Sequence, residues 1–299
     1  MLDDLLARWR NKDRLALARL LTLISRDESL PQIRAAVSPK PDDVPVVAVT
    51  GNAGVGKSTM VGKLAEYLRG QGKSVGVLAC DPESPITGGA LLGDRVRMPA
   101  RPDDTDLFIR SLATASGHQA VAEHADLMIR LMAGFGFDVI LLETVGAGQG
   151  DTAVRSLADV VVVLLQPESG DELQWEKAGL LEIADVVVIH KADLPGAERL
   201  ESQVRELLSL PGSRAVEVLR VSSAKGEGFA RLWAAITACP PRTGALEPAA
   251  QFLLRRAQQV LADRLHDRAG HVGSLVDRWK RHEVDEDQAT DELLHRLIE

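Results

Sequence analysis

The chain has only two cysteines, Cys80 and Cys239, in 299 residues. They are too few for a disulfide framework and too far apart for a Cys-x-x-Cys metal site, and a reducing cytoplasm is the expected compartment. Positive charge is not in excess either: 35 Lys and Arg stand against 43 Asp and Glu, a formal net charge of −8. That balance gives no electrostatic case for nucleic acid or an anionic membrane as a partner. Long apolar runs are missing as well. The longest, Val160 to Leu165, has six residues, against about 20 for a membrane-spanning helix. Asp3 and Asp4 come before any apolar run at the N-terminus, so neither a signal peptide nor a membrane span is expected. The chain does have a hydrophobic fraction of 45%. That suffices for a large core, read as one main domain of about 200 residues with helical additions.

Short β-branched runs alternate with helical patterns from residue 44 to about 239. Strands are expected at 45–50, 74–80, 106–110, 138–144, 159–166, 185–190 and 215–221. Runs such as Val160–Leu165 and Val186–Ile189 do not alternate apolar with polar, so both faces of these strands are buried, as in a parallel sheet covered by helices. The expected fold is therefore α/β, a P-loop NTPase with a doubly wound, mostly parallel sheet, flanked by N- and C-terminal helical arms. The expected division is an N-terminal helical arm and linker at 1–43, a nucleotide domain at 44–240 and a C-terminal helical arm at 241–299. In the last arm a break is expected at Gly270 and Gly273.

Directly after the first strand comes Gly51-Asn52-Ala53-Gly54-Val55-Gly56-Lys57-Ser58-Thr59, a complete G-x-x-x-x-G-K-[ST] loop at a strand-to-helix junction. Gly51, Gly54 and Gly56 allow positive φ, which turns backbone N–H groups toward phosphate oxygens. Lys57 can reach the β- and γ-phosphates, and the Ser58 hydroxyl can enter a Mg²⁺ shell. Asp81, at the end of the second strand, could hold a magnesium water or orient the attacking water; Asp94 could play the same part, and either could be a turn or cap residue. Asp138-Val-Ile-Leu-Leu-Glu143 describes a Walker B strand that brings Glu143 to the magnesium side, with Gly146 leaving backbone room beside the γ-phosphate.

His190-Lys191-Ala192-Asp193 ends another buried strand where GTP-binding proteins carry Asn-Lys-x-Asp. The carboxylate at Asp193 can accept from guanine N1 and N2, whereas adenine would leave it unpaired. Ser223-Ala224-Lys225, after the last strand, can offer a backbone N–H to guanine O6. GTP or GDP, with Mg²⁺, is therefore the expected ligand; Lys57, Asp81 and Glu143 are the candidate catalytic residues and Ser58, Asp81, Asp94 and Glu143 the candidate metal residues, with the turn or cap reading of Asp81 and Asp94 still open.

These motifs resemble the MeaB/ArgK family, the G-protein chaperones of adenosylcobalamin-dependent acyl-CoA mutases. The likeness runs from about 44 to 240 through the phosphate loop, Asp81-Pro-Glu-Ser-Pro, Thr87-Gly-Gly-Ala-Leu-Leu-Gly-Asp-Arg-Val-Arg-Met98, Phe108-Ile-Arg-Ser-Leu112, Glu143-Thr-Val-Gly146, Gly170-Asp-Glu-Leu-Gln174 and Glu182-Ile-Ala-Asp185. The resemblance implies slow, partner-stimulated GTP hydrolysis that gates cofactor delivery to a B12-dependent acyl-CoA mutase and protects it. It also implies a homodimer built with the helical arms. Three departures stand out: His190 for the family Asn, Trp175 for a usual Gly, and Thr114-Ala-Ser-Gly-His118 for a Thr-Arg-Gly segment. Returning Asn at position 190 is expected to strengthen GDP binding. The alternatives are a nickel-type metallochaperone GTPase, which should carry a Cys/His cluster, and an ATP-dependent transport-associated NTPase, against which Asp193 argues.

Overall fold

The structure is a computed structural model that describes residues 2–82, 104–114, 121–145, 151–167, 176–209, 216–240, 254, 257, 269–281 and 283–298. Among the described residues, seven strands form a single sheet: β1 (Val46–Gly51), β2 (Val75–Pro82), β3 (Leu107–Thr114), β4 (Val139–Glu143), β5 (Val160–Leu165), β6 (Val186–His190) and β7 (Glu217–Val221). Their order is β3-β2-β4-β1-β5-β6-β7, and each neighbouring pair is parallel. The chain thus builds one half of the sheet outward from β1, returns through β4, and crosses to build the other half. β1 lies at the point where the direction reverses, and the carboxyl ends of the strands beside such a point are where ligands bind in open α/β sheets.

Each expected strand is present, but β2 and β3 run past their expected ends at 80 and 110. They pair with each other over eight positions, from Val75 with Leu107 to Pro82 with Thr114. Polar Arg110 and Ser111 break the apolar pattern of β3, so periodicity alone stops too early.

The apolar runs are continuous because each strand feeds two cores. Val46 and Ala48 of β1 face one cluster, while Val47 and Val49 face the other. The second face is covered by α4 (Lys57–Gly70) and, among the later helices, by the one at Phe229–Ala238, whose Leu232 is fully buried. The first is covered by α5 (Ala125–Phe135), α6 (Asp151–Leu157), α7 (Glu176–Ile183) and α8 (Ala197–Leu208). The helix at Phe229–Ala238 is α9 in chain order.

The N-terminal helices α1 (Leu2–Arg10), α2 (Arg14–Ile24) and α3 (Leu30–Ala36) join the first cluster. Leu17, Leu20, Leu21 and Ile24 are fully buried there. Asp13 caps α2 by accepting from the Leu15 and Ala16 N–H groups, and the Trp9 indole donates to the Leu131 carbonyl at 3.1 Å. Lys12 reaches the carbonyls of Gly134 and Phe135 at the end of α5, where a cation is favoured by the exposed carbonyls. Residues Met1–Pro241 form one compact unit.

A second compact unit is Arg242–Glu299. Its described helices are α10 (Ala269–Lys280) and α11 (Glu286–Ile298). Gly270 and Gly273 lie in the first turns of α10, whose start at Ala269 stands beside the expected break; residues 258–268 before it lie outside the described residues. A further boundary follows Lys280, where Asp285 and Gln288 start a new helix reciprocally: Asp285 Oδ1 accepts from the Gln288 N–H at 2.7 Å and Gln288 Oε1 from the Asp285 N–H at 3.2 Å. That exchange is a capping box. Arg278 grips both oxygens of Glu292 at 3.0 and 2.9 Å across the pair.

At the amino ends of the strands one device recurs. Asp138, Asp159 and Asp185 each accept from a backbone N–H at or beside the start of a neighbouring strand: Ser74 at 2.7 Å, Val46 at 2.7 Å and Val161 at 2.8 Å. Each carboxylate closes a ladder that the sheet itself leaves open. Asp159→Ala should strand the Val46 N–H at the start of β1 and destabilise the first unit by about 1–2 kcal/mol, with Asp159→Asn milder because its amide oxygen still accepts. Urea unfolding of the two variants checks this; equal losses for Ala and Asn would mean that the hydrogen bond contributes nothing.

Candidate functional site

β1 delivers the glycine-rich loop to the carboxyl edge of the sheet. Gly51 closes the strand at φ +146°, and a Cβ there would sit 2.6 Å from the Leu164 carbonyl oxygen of β5, so only glycine lets the two strands stay this close. Gly54 and Gly56 have φ +78° and +95°, the left-handed region that side chains avoid. Gly56 is the N-cap of α4, and the loop therefore turns directly into the amino end of a helix of 14 residues. Backbone N–H groups without helical partners and the helix dipole both favour an anion at such an end.

Lys57 and Ser58 open α4, and each is 7% exposed. The Lys57 ammonium folds back over the loop and donates to the carbonyls of Gly51 at 3.0 Å and Asn52 at 3.2 Å. Ser58 Oγ donates to Glu143 Oε1 at 2.6 Å. That short bond between residues 85 apart in sequence follows from register: Val49 of β1 lies beside Glu143 of β4. Glu143 is 3% exposed. Behind it the Thr144 hydroxyl donates to Thr50 Oγ1 at 3.0 Å, with both side chains buried. This pair, which sequence reading passed over, ties the end of β4 to the entry of the phosphate loop.

A buried hydroxyl and a buried carboxylate oxygen converging at a phosphate loop form a hard-oxygen set, the kind Mg²⁺ takes when phosphates supply other ligands. The residues present therefore fit a magnesium ion. Among the described residues no group of three His, Cys, Asp or Glu gathers into a metal cluster, and a Mg²⁺–phosphate site needs only one or two carboxylates. The backbone of Asp81 lies at the carboxyl end of β2, paired with Ala113. Asp94 and Gly146 lie outside the described residues.

The second half of the site follows β6 and β7. His190 ends β6, 2% exposed, and Lys191 turns the chain at φ +53°. The Ala192 N–H donates to the Val221 carbonyl at 3.2 Å, so the turn is fastened to the end of β7. Asp193 Oδ1 then accepts the Ser222 hydroxyl at 2.5 Å, and Ser222 Oγ in turn accepts the Lys225 N–H at 3.2 Å. The Ser222 hydroxyl is the chief influence holding the Asp193 carboxyl below the usual carboxylate range. Gly228, at φ +91°, packs where a Cβ would meet the Arg220 carbonyl at 2.5 Å.

The sequence reading began this segment at Ser223, yet the serine that grips Asp193 is Ser222. With two serines in a row, the tetrapeptide can be read in two frames, and the position directly after the last strand residue was the available signal. Ser223 instead meets His190, whose Nε2 lies 2.7 Å from its hydroxyl, while Nδ1 lies 2.8 Å from the Val55 carbonyl of the phosphate loop. Ala224 and Lys225 are exposed at the rim. Phosphate loop, Glu143, the turn after β6 and the turn after β7 thus form one connected edge.

The family described as Methylmalonyl Co-A mutase-associated GTPase MeaB matches residues 17–268. A Pyrococcus abyssi protein named "Putative GTPase" is 40% identical over 240 residues, covering 78% of this chain and 74% of that one. The mitochondrial methylmalonic aciduria type A homolog of Mus musculus is 39% identical over 194 residues, or 62% of this chain and 47% of that one. A fused isobutyryl-CoA mutase of Nocardia farcinica is 40% identical over 202 residues, covering 66% of this chain and 19% of that one. A crystal structure of an LAO/AO transport system kinase shares the fold, with a TM-score of 0.66 at 21% identity over 100% of this chain and 98% of that one.

Ser222→Ala should remove the donor that fixes Asp193 without opening the core, since the side chain lies at the end of an edge strand. Guanine-nucleotide affinity is expected to fall about threefold to tenfold, the range for losing one charge-assisted hydrogen bond to a partly solvated carboxylate. Calorimetry with GDP measures it, and unchanged affinity would show that Asp193 holds its place unaided.

Proposed function

The chain belongs to the family of methylmalonyl-CoA mutase-associated GTPases, and from that premise we propose that it binds GTP at this edge, hydrolyses it slowly to GDP and phosphate, and uses that cycle to gate adenosylcobalamin delivery to an acyl-CoA mutase and to protect it. The observation that carries the guanine reading is the Asp193 carboxylate held by Ser222 at the turn after β6. A carboxylate fixed there accepts guanine N1–H and N2–H together. Adenine offers an acceptor at N1 and no 2-amino group, so it leaves the same carboxylate unpaired.

The steps follow from the side chains. The loop N–H groups between Gly51 and Thr59 receive the phosphates, and Lys57 exchanges the carbonyls of Gly51 and Asn52 for β- and γ-phosphate oxygens. The move trades two neutral acceptors for anionic ones, which make the stronger hydrogen bonds. Ser58 and Glu143 would hold the magnesium ion, with Asp81 and Asp94 assigned beside them. Bound there, the ion supplies neutralising charge for the triphosphate. Glu143 and Asp81 orient the attacking water, and Gly146 leaves backbone room beside the γ-phosphate.

The mutase assignment is supported by the family, by the likeness to the methylmalonic aciduria type A homolog and by the likeness to a segment of a fused isobutyryl-CoA mutase. A cycle this slow is useful only if another protein reads its nucleotide state. The C-terminal unit is the assigned dimer contact, where Trp279 is 46% and Leu294 41% exposed. Cytoplasm is the assigned compartment; among the described residues no helix is long and apolar enough to cross a membrane.

Calorimetry should show GTP and GDP bound about a hundredfold or more tighter than ATP, and equal affinities would remove the guanine reading. Glu143→Ala should keep nucleotide while losing magnesium-dependent hydrolysis, read by phosphate release. Truncation after residue 247 is expected to give a monomer that still binds GTP. An adenosylcobalamin-dependent acyl-CoA mutase should co-elute with the full chain and raise its hydrolysis rate about tenfold, a barrier change of about 1.4 kcal/mol. Mutases that neither co-elute nor change the rate would leave a GTPase without the chaperone role.

A further inference from the structure

His190 sits under the phosphate loop with its ring reaching in two directions. Nδ1 is 2.8 Å from the Val55 carbonyl oxygen, and Nε2 is 2.7 Å from Ser223 Oγ. A carbonyl has no proton to give, so Nδ1 carries the hydrogen. The neutral ring then presents Nε2 as an acceptor, and the Ser223 hydroxyl donates to it. The ring also fills the space over Gly56, where an added Cβ would lie 2.7 Å from Cε1 and 2.9 Å from Nδ1. One side chain therefore supports the phosphate loop on one side and the turn after β7 on the other, the turn whose preceding serine holds Asp193.

Asparagine cannot span this gap. Its amide extends about as far from the backbone as Nδ1, so it keeps the Val55 arm and leaves Ser223 without a partner. Glutamine has the opposite reach, placing its amide near the position of Nε2. We propose that His190 is a positioning residue whose neutral imidazole couples the phosphate loop to the base-binding turn, so that protonating the ring loosens the base-binding turn and speeds release of guanine nucleotide. This inference rests on the guanine-nucleotide reading above. It also reverses the expectation that asparagine would strengthen binding, because the imidazole makes a second contact that the shorter amide cannot.

Protonation leaves the Val55 arm in place, since Nδ1 already donates there and that bond favours the charged ring. It turns Nε2 into a donor, which forces the Ser223 hydroxyl to reverse, and it places a positive charge in a buried position. The charged groups acting on the ring are Lys191, which opposes that charge, and Asp193, which favours it. From the phosphate loop the ring meets the Val55 carbonyl and Gly56, and from the turn after β7 the Ser223 hydroxyl, none of which titrates. Lys57 is turned away toward Gly51 and Asn52. Burial, the largest influence, holds the imidazole below the usual histidine range. The ring is therefore neutral at pH 7. Its unfolded form binds protons first, so its contribution to stability is complete above about pH 6.5 and is lost as pH falls below that.

Release of a fluorescent GDP analogue from the full chain, followed by stopped flow between about pH 5 and 8, tests the coupling. Wild-type protein should release about tenfold faster at the acid end than at the alkaline end, the span over which a histidine changes charge. His190→Asn and His190→Gln should each release about threefold or more faster than wild type at pH 7.5, with no acid acceleration, because each keeps one arm and neither titrates. Ser223→Ala, which leaves the ring in place, should also release faster at pH 7.5 yet keep its acid acceleration. Circular dichroism confirms that the variants are folded. ¹⁵N NMR of the imidazole in nucleotide-free protein should find the proton on Nδ1 at pH 7.5. An acid acceleration that persists in His190→Asn, or a proton found on Nε2 alone, overturns the coupling. If wild-type protein binds no GDP analogue at pH 7.5, the guanine reading falls and takes the coupling with it.

Discussion

The parallel register of β1 with its two neighbours is the constraint on which the site depends. It sets Val49 beside Glu143 on one side and Gly51 beside Leu164 on the other. The first pairing lets a hydroxyl from the loop meet a carboxylate from the next strand at 2.6 Å. The second requires glycine, since a Cβ would drive into a carbonyl of β5. A shift of one residue in either ladder would turn every side chain of β1 to the opposite face. That would bury the wrong set in both cores at once, so the packing of two helix layers enforces the geometry of the phosphate loop. The aspartates at the amino ends hold the same register from below.

The site is prepared to unequal degrees. The Ser58–Glu143 pair is assembled and buried, and the Asp193–Ser222–Lys225 chain is fastened to β7. Lys57 is satisfied differently, by carbonyls of the loop it belongs to. An unpaired buried ammonium would carry a desolvation cost of several kcal/mol, so the loop supplies acceptors that a phosphate must displace. The Ser58–Glu143 and Asp193–Ser222 pairs are thus already in place, while Lys57 is held by carbonyls of its own loop.

The fold was legible because the apolar runs are short and non-alternating and recur between helical patterns, as in a doubly covered parallel sheet. The phosphate loop and Glu143 were legible because their chemistry is local in sequence: nine consecutive residues and one strand. The pair of turns after β6 and β7 was half legible. Asp193 could be read from its tetrapeptide, but Ser222 could not be separated from Ser223 without knowing where β7 stops. Contacts across long separations were hidden altogether. Thr50 with Thr144 and His190 with Val55 join residues 94 and 135 apart, and no spacing rule connects them.

Connection across the site also bears on regulation. A nucleotide switch has to transmit the state of the phosphates to surfaces some distance away, and it can do so only through elements with two arrangements that both ligands bias. Here the phosphate loop touches β4 through Ser58 and β6 through His190. In a chain where asparagine stood at 190, the shorter amide would reach the Val55 carbonyl and leave the turn after β7 unlinked. The imidazole completes that link and gives it a proton whose position matters, so the turn after β7 responds to one side chain's charge state as well as to the nucleotide.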